Sequence, residues 1–117
     1  MKDMRLEELL NKVKADAVEY YTYSKVTYDK ESNTVHLTIA DDQITNNVMR
    51  RISIPAVKEK WDHSYILLVK RLSTLINTLF SINGYNIHSA IYLKFNNNIA
   101  ELALSVYDGE IIYNKFN

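Results

Sequence analysis

With 117 residues, 47% of them apolar and 24% charged, the chain has the composition of one globular domain and not of a disordered segment. Lysine plus arginine equals aspartate plus glutamate at 14 each, so no overall field draws it to nucleic acid or to an anionic membrane. There is no cysteine, which excludes disulfides, thiolate zinc sites and cysteine nucleophiles.

The first ten residues, MKDMRLEELL, carry acids where a secretory signal needs an apolar run, and no stretch approaches the roughly 18 apolar residues of a membrane span. A cytoplasmic protein is expected. Asp3 suits a helix N-cap, Glu7 and Glu8 favour the positive first turn, and Leu6, Leu9, Leu10, Val13 and Ala17 make an apolar face. A helix is predicted over residues 4–19. Tyr20, Tyr21 and Tyr23 then turn the local preference towards extended structure, residues 25–29 alternate as a strand, and 30–33 have turn composition. Residues 34–40 alternate cleanly, with Val35, Leu37 and Ile39 on one face and Thr34, His36 and Thr38 on the other. After a polar stretch at 41–47, residues 48–54 read as a third strand running into Pro55.

The longest apolar pattern lies at 56–82. Trp61, Tyr65, Leu68, Leu72, Leu75 and Leu79 step by four and three, the spacing that keeps side chains on one side of a helix. Ile66, Val69, Ile76 and Phe80 widen the stripe, and Asp62, His63, Lys70, Ser73, Asn77 and Ser81 form a polar side. Pro55 suits the first turn and Asn83-Gly84 the left-handed stop. Beyond it, Ile87, Ile91, Leu93 and Phe95 share one face of a strand, and Asn96-Asn97-Asn98 signals a turn. Leu102, Leu104 and Val106 then alternate, and Asp108-Gly109 joins them to a strand over 111–115. The sum is one α+β domain over 1–117: a single, mainly antiparallel layer of about six strands packed on two helices, in the order α-βββ-α-βββ. Such a layer leaves one sheet face uncovered.

Catalytic constellations are missing. Glu59 and His63 stand one helical turn apart with Asp62 between them, a spacing that can hold a metal but is routine on a solvated helix face, and no metal or other cofactor is expected. No G-x-S-x-G or comparable nucleophile motif occurs. Glu7-Glu8 is explained by the helix dipole and Asp41-Asp42 by a polar loop. Only two glycines occur, so a phosphate-cradling loop is not expected either. Abundant Asn, Ile, Lys and Tyr fit an AT-rich coding genome such as a virus or mobile element carries.

The unusual feature is nine tyrosines, with Tyr20, Tyr21, Tyr23 and Tyr28 crowded beside Lys25 and Lys30. Arg50, Arg51, Lys58, Lys60, Lys70 and Arg71 gather around Trp61 against only Glu59 and Asp62. Rings interleaved with cations can stack unpaired bases and attract phosphates. Tyrosine is equally a good strand former, lysines equally protect sheet edges, and the same residue types dominate protein interfaces.

The order of a helix and hairpin before a central helix and a three-stranded meander resembles the roadblock family of dimeric adaptor domains, with an added strand at 48–54 and no third helix. The helix, three strands and helix of residues 1–82 resemble double-stranded RNA-binding domains, in which the start of the second helix is lysine-rich; here it is Lys58, Glu59 and Lys60. Neither resemblance carries a functional residue over. The expectation is a non-enzymatic interaction or regulatory protein that binds a macromolecular partner, forms a homodimer and does not enter a membrane. The alternative is single-stranded nucleic-acid binding. For either, the candidate residues are Tyr20, Tyr21, Tyr23, Lys25, Arg50, Arg51, Lys58, Lys60 and Trp61.

Overall fold

The computed structural model describes residues 2–42, 65–95 and 98–115. In chain order these form α1 (Lys2–Tyr20), β1 (Tyr23–Asp29), β2 (Thr34–Ala40), α2 (Leu67–Ile82), β3 (His88–Phe95), β4 (Asn98–Tyr107) and β5 (Glu110–Asn114). The expected strand at 48–54, Pro55 and the first part of the expected long helix lie outside the described residues.

The strands make one sheet in the order β1-β2-β3-β4-β5. The expected layer of six mainly antiparallel strands is thus, among the described residues, five strands in a mixed sheet, because β2 and β3 run parallel. The reason is the crossover. A chain that leaves β2, passes through a helix on one face of the sheet and returns must start the next strand at the same end as the last. The returning end is tied down directly: the His88 N–H donates to the Asn33 carbonyl at 2.9 Å, and Asn33 Nδ2 donates to the Asn86 carbonyl at 2.6 Å.

Both helices lie on one face, α1 over β1 and α2 over β3 and β4. Leu9, Val13 and Ala17 of α1, each four residues on, meet Val35, Leu37 and Ile39 of β2, Ile91 and Leu93 of β3, and Leu104 and Val106 of β4 in one core. The buried face is centred on the residues expected to widen the stripe and not on its leucines, although Tyr65, expected in that stripe, is buried as well. Ile66, Val69, Ser73, Ile76 and Phe80 are buried, whereas Leu68, Leu72 and Leu79 are half-buried and Leu75 is 63% exposed. The predicted leucine row therefore flanks the core, and Ser73, expected on the wet side, sits inside it.

The stop at Asn83-Gly84 is as expected. Gly84 takes φ +89°, its N–H donates to the Ser81 carbonyl, and the Tyr85 N–H reaches back to the Phe80 carbonyl, the paired bonds of a Schellman turn. Arg5 on α1 donates to Asn83 Oδ1 at 2.7 Å and so ties the first helix to the end of the second.

In β4 the pairing slips between Leu93 and Lys94, so that Leu104 faces Leu93 but Leu102 faces Lys94. Ala103 is consequently buried in the core and Leu102 only half-buried, where simple alternation predicts Leu102 inside.

Candidate interaction surfaces

The β4–β5 turn is Asp108-Gly109, with φ +47° and +83°, the left-handed pair that a two-residue hairpin requires. Asp108 does more than turn the chain. Its Oδ1 accepts from the Ser89 N–H at 2.8 Å and from Asn77 Nδ2 at 3.2 Å, and its Oδ2 accepts from His88 Nδ1 at 2.7 Å. A carboxylate can only accept, so His88 carries its proton on Nδ1. Partial burial pushes the Asp108 carboxyl up, but the bonds from Ser89, His88 and Asn77 outweigh it and hold the group below the usual carboxylate range.

Beneath this turn the hydroxyls of Ser73 and Ser89, both fully buried, bond to each other. Ser89 Oγ donates to the Ser73 carbonyl at 3.1 Å, and the Gly109 N–H donates to Ser73 Oγ at 2.9 Å. Aspartate, histidine and serine therefore stand together without making a hydrolytic triad. Both serine hydroxyls are enclosed and engaged with each other and with backbone, so neither is offered to a substrate. The cluster clamps the hairpin to α2.

Beyond the clamp, β5 forms one outer strand of the described sheet and β1 the other. They differ in kind. β1 carries α1 against it and shows Lys25, Thr27 and Asp29 to solvent, charges that discourage another strand from pairing. β5 shows Ile111, Ile112 and Tyr113, which are 43%, 66% and 45% exposed. This strand is an apolar edge.

The sheet face away from the helices is the second surface. By register it carries Lys25, Thr27 and Asp29 of β1, His36 and Thr38 of β2, His88, Ala90, Tyr92 and Lys94 of β3, and Tyr107 of β4. The third surface is an apolar groove of about 320 Å³ between the helices, lined mainly by Val13, Ala17 and Tyr20 of α1 and Leu72, Leu75 and Leu79 of α2.

These surfaces divide the residues singled out in the sequence. Tyr20 and Tyr21 line the groove on the helix side, where burial, followed by the nearby Asp41 charge, pushes the Tyr21 hydroxyl above its usual pKa. Tyr23 and Lys25 belong to the opposite face. Tyr28 packs towards the core and donates to Asn33 Oδ1 at 2.6 Å. The tyrosine cluster is thus not one platform, because β1 sends alternate side chains to opposite sides. Arg50, Arg51, Lys58, Lys60 and Trp61 lie outside the described residues, as do Glu59, Asp62 and His63. Among the described residues no group of three or more His, Asp or Glu is placed to hold a metal, and no helix is long and apolar enough to cross a membrane.

Sequence reasoning missed the β5 edge and the His88–Asp108 contact. The run Ile111-Ile112-Tyr113 was the available signal for the first: three successive large apolar residues break the alternation of a half-buried strand. Nothing local marks the second. No family model, curated protein or solved structure matches the chain.

Proposed function

We propose that the protein is a non-enzymatic interaction module that joins a second copy of itself through β5 and binds its macromolecular partner as that dimer. The observation that carries this reading is the apolar edge strand, with Ile111, Ile112 and Tyr113 all exposed, whereas the opposite edge of the described sheet, β1, is protected by charge. An edge strand offers unpaired backbone donors and acceptors, and a second copy supplies the complementary set. The register follows from the side chains. In β5 Ile111 stands opposite Val106 and Tyr113 opposite Ser105, with Ile112 the extra residue between them, and antiparallel pairing centred on Ile112 brings the three apolar residues of each copy against those of the other.

Sedimentation velocity from about 1 to 100 µM tests this, because self-association must follow mass action. A monomer–dimer equilibrium is expected, shifted to monomer by Ile112→Lys with the fold retained. A single monomeric species at the highest concentration overturns it.

Single-stranded nucleic-acid binding is the alternative, and one observation favours it: the open sheet face carries the rings of His36, His88, Tyr92 and Tyr107 with Lys25 and Lys94. Its test is fluorescence anisotropy with a labelled oligonucleotide at low salt, where an unchanged signal removes it.

A further inference from the structure

Ala90 lies at the centre of the open face. It stands directly opposite His36 on β2 and Tyr107 on β4, with His88 and Tyr92 on either side along its own strand. At 3% exposure it is roofed by these neighbours. The four rings pair diagonally around it. His36 stacks on Tyr92 with centroids 5.8 Å apart and planes 14° from parallel, and His88 stacks on Tyr107 at 5.6 Å and 22°. His36 is further fixed by a 3.0 Å hydrogen bond between its Nδ1 and the Tyr92 hydroxyl.

On the β1 side of the His36–Tyr92 pair the face dips into a shallow concavity of about 430 Å³, lined by these two rings with Lys25, Thr27, Asp29 and Thr38. Its chemistry is graded. The aromatic pair forms one wall, the threonine hydroxyls give the floor a hydrogen-bonding surface, and the one ammonium and one carboxylate stand four residues apart on β1, about 13 Å at the rise of an extended strand. Asp29 is held ionised, its carboxyl lowered chiefly by the Ser32 hydroxyl and then by the Glu31 N–H, and its residue is exposed to solvent.

We propose that this concavity binds a nucleoside monophosphate or one nucleotide unit of a single strand. The planar base lies against the His36–Tyr92 rings, the phosphate meets the Lys25 ammonium, and a ribose hydroxyl or base amine donates to Asp29. An aromatic wall selects a planar ligand, and the separated cation and anion require it to carry an acceptor at one end and donors at the other. A simple aromatic or a free phosphate satisfies only one part. The inference rests on the open-face alternative above and narrows it to one site.

The test is a titration of the full chain with AMP, adenosine and inorganic phosphate, followed by amide chemical shifts. AMP is expected to shift Lys25, Thr27, His36, Thr38 and Tyr92 saturably. Lys25→Ala should weaken AMP about tenfold while leaving adenosine unaffected, the loss of one charge-assisted bond. Tyr92→Phe, which keeps the ring, should retain binding that Tyr92→Ala loses. Unchanged shifts at about 10 mM AMP, which put the Kd far above the range in which one stacked and ion-paired ligand is held, overturn the proposal. Phosphate alone reproducing the whole AMP pattern, or shifts confined to the groove between α1 and α2, would overturn it too. An oligonucleotide that binds when AMP does not removes this site and leaves strand binding standing, whereas AMP binding without oligonucleotide binding supports the site and removes the polymer.

Discussion

Ser73 and Ser89 close a circuit in which each buried hydroxyl donates once and accepts once, so its members are worth more together than apart. Ser73→Ala leaves the Gly109 N–H without its acceptor and Ser89 Oγ without its donor, and is expected to cost about 1–3 kcal/mol in urea denaturation. Ser89→Ala on top of it should cost much less than it does alone, a non-additivity that a double-mutant cycle reads directly. Asp108→Ala exposes a further donor, the Ser89 N–H, and should destabilise by a similar about 1–3 kcal/mol at neutral pH. The sign of its pH dependence follows from its lowered carboxyl. The folded value lies below the unfolded value of about 3.9, so the contribution is complete above that pH and is lost as pH falls through the folded value. The stability gap between the wild type and Asp108→Asn should accordingly be flat through neutrality and narrow only on the acid limb. None of this pairing is written locally. Ser73 falls on a polar step of the helix by residue type, and only the crossing of α2 over β3 gives it a partner. The Asp108-Gly109 turn, by contrast, is legible because backbone conformation at that spacing admits few other residues.

At the level of elements, α2 carries two apolar rows, and residue type does not decide between them. The leucine row at 68, 72, 75 and 79 is the more regular, yet the row through Val69, Ile76 and Phe80 is buried. Phe80→Ala should therefore cost about 3–5 kcal/mol, whereas Leu75→Ala should stay within about 0.5 kcal/mol, as for an exposed side chain. Equal costs would mean that the rotation of the helix is misassigned. The existence of the helix, its Gly84 stop, the β1–β2 hairpin and the three-stranded meander all follow from periodicity and turn chemistry. Strand direction does not. Alternation fixes which face a residue occupies and says nothing of its neighbour, so the parallel β2–β3 pair emerges only from the helical crossover. The slip in β4 is hidden for the same reason, because one extra residue leaves the apolar pattern intact on paper.

At the scale of the whole molecule the described sheet is asymmetric, one outer strand guarded by charge and a helix and the other apolar, on a chain of net charge zero. Association driven by such an edge should respond weakly to ionic strength, since backbone pairing and apolar contact are not screened, whereas strand binding to nucleic acid should fall steeply with salt. The melting temperature should rise with protein concentration in the wild type and not in Ile112→Lys. The absence of cysteine allows a more direct measurement. A single Ile112→Cys substitution places its only thiol at the centre of the proposed β5 pairing, and Thr78→Cys on the exposed side of α2 serves as the control. Under mild oxidation rapid, concentration-dependent formation of a covalent dimer is expected at position 112 and little at position 78. Equal cross-linking at the two positions, or none at 112 while the protein sediments as a dimer, would contradict it.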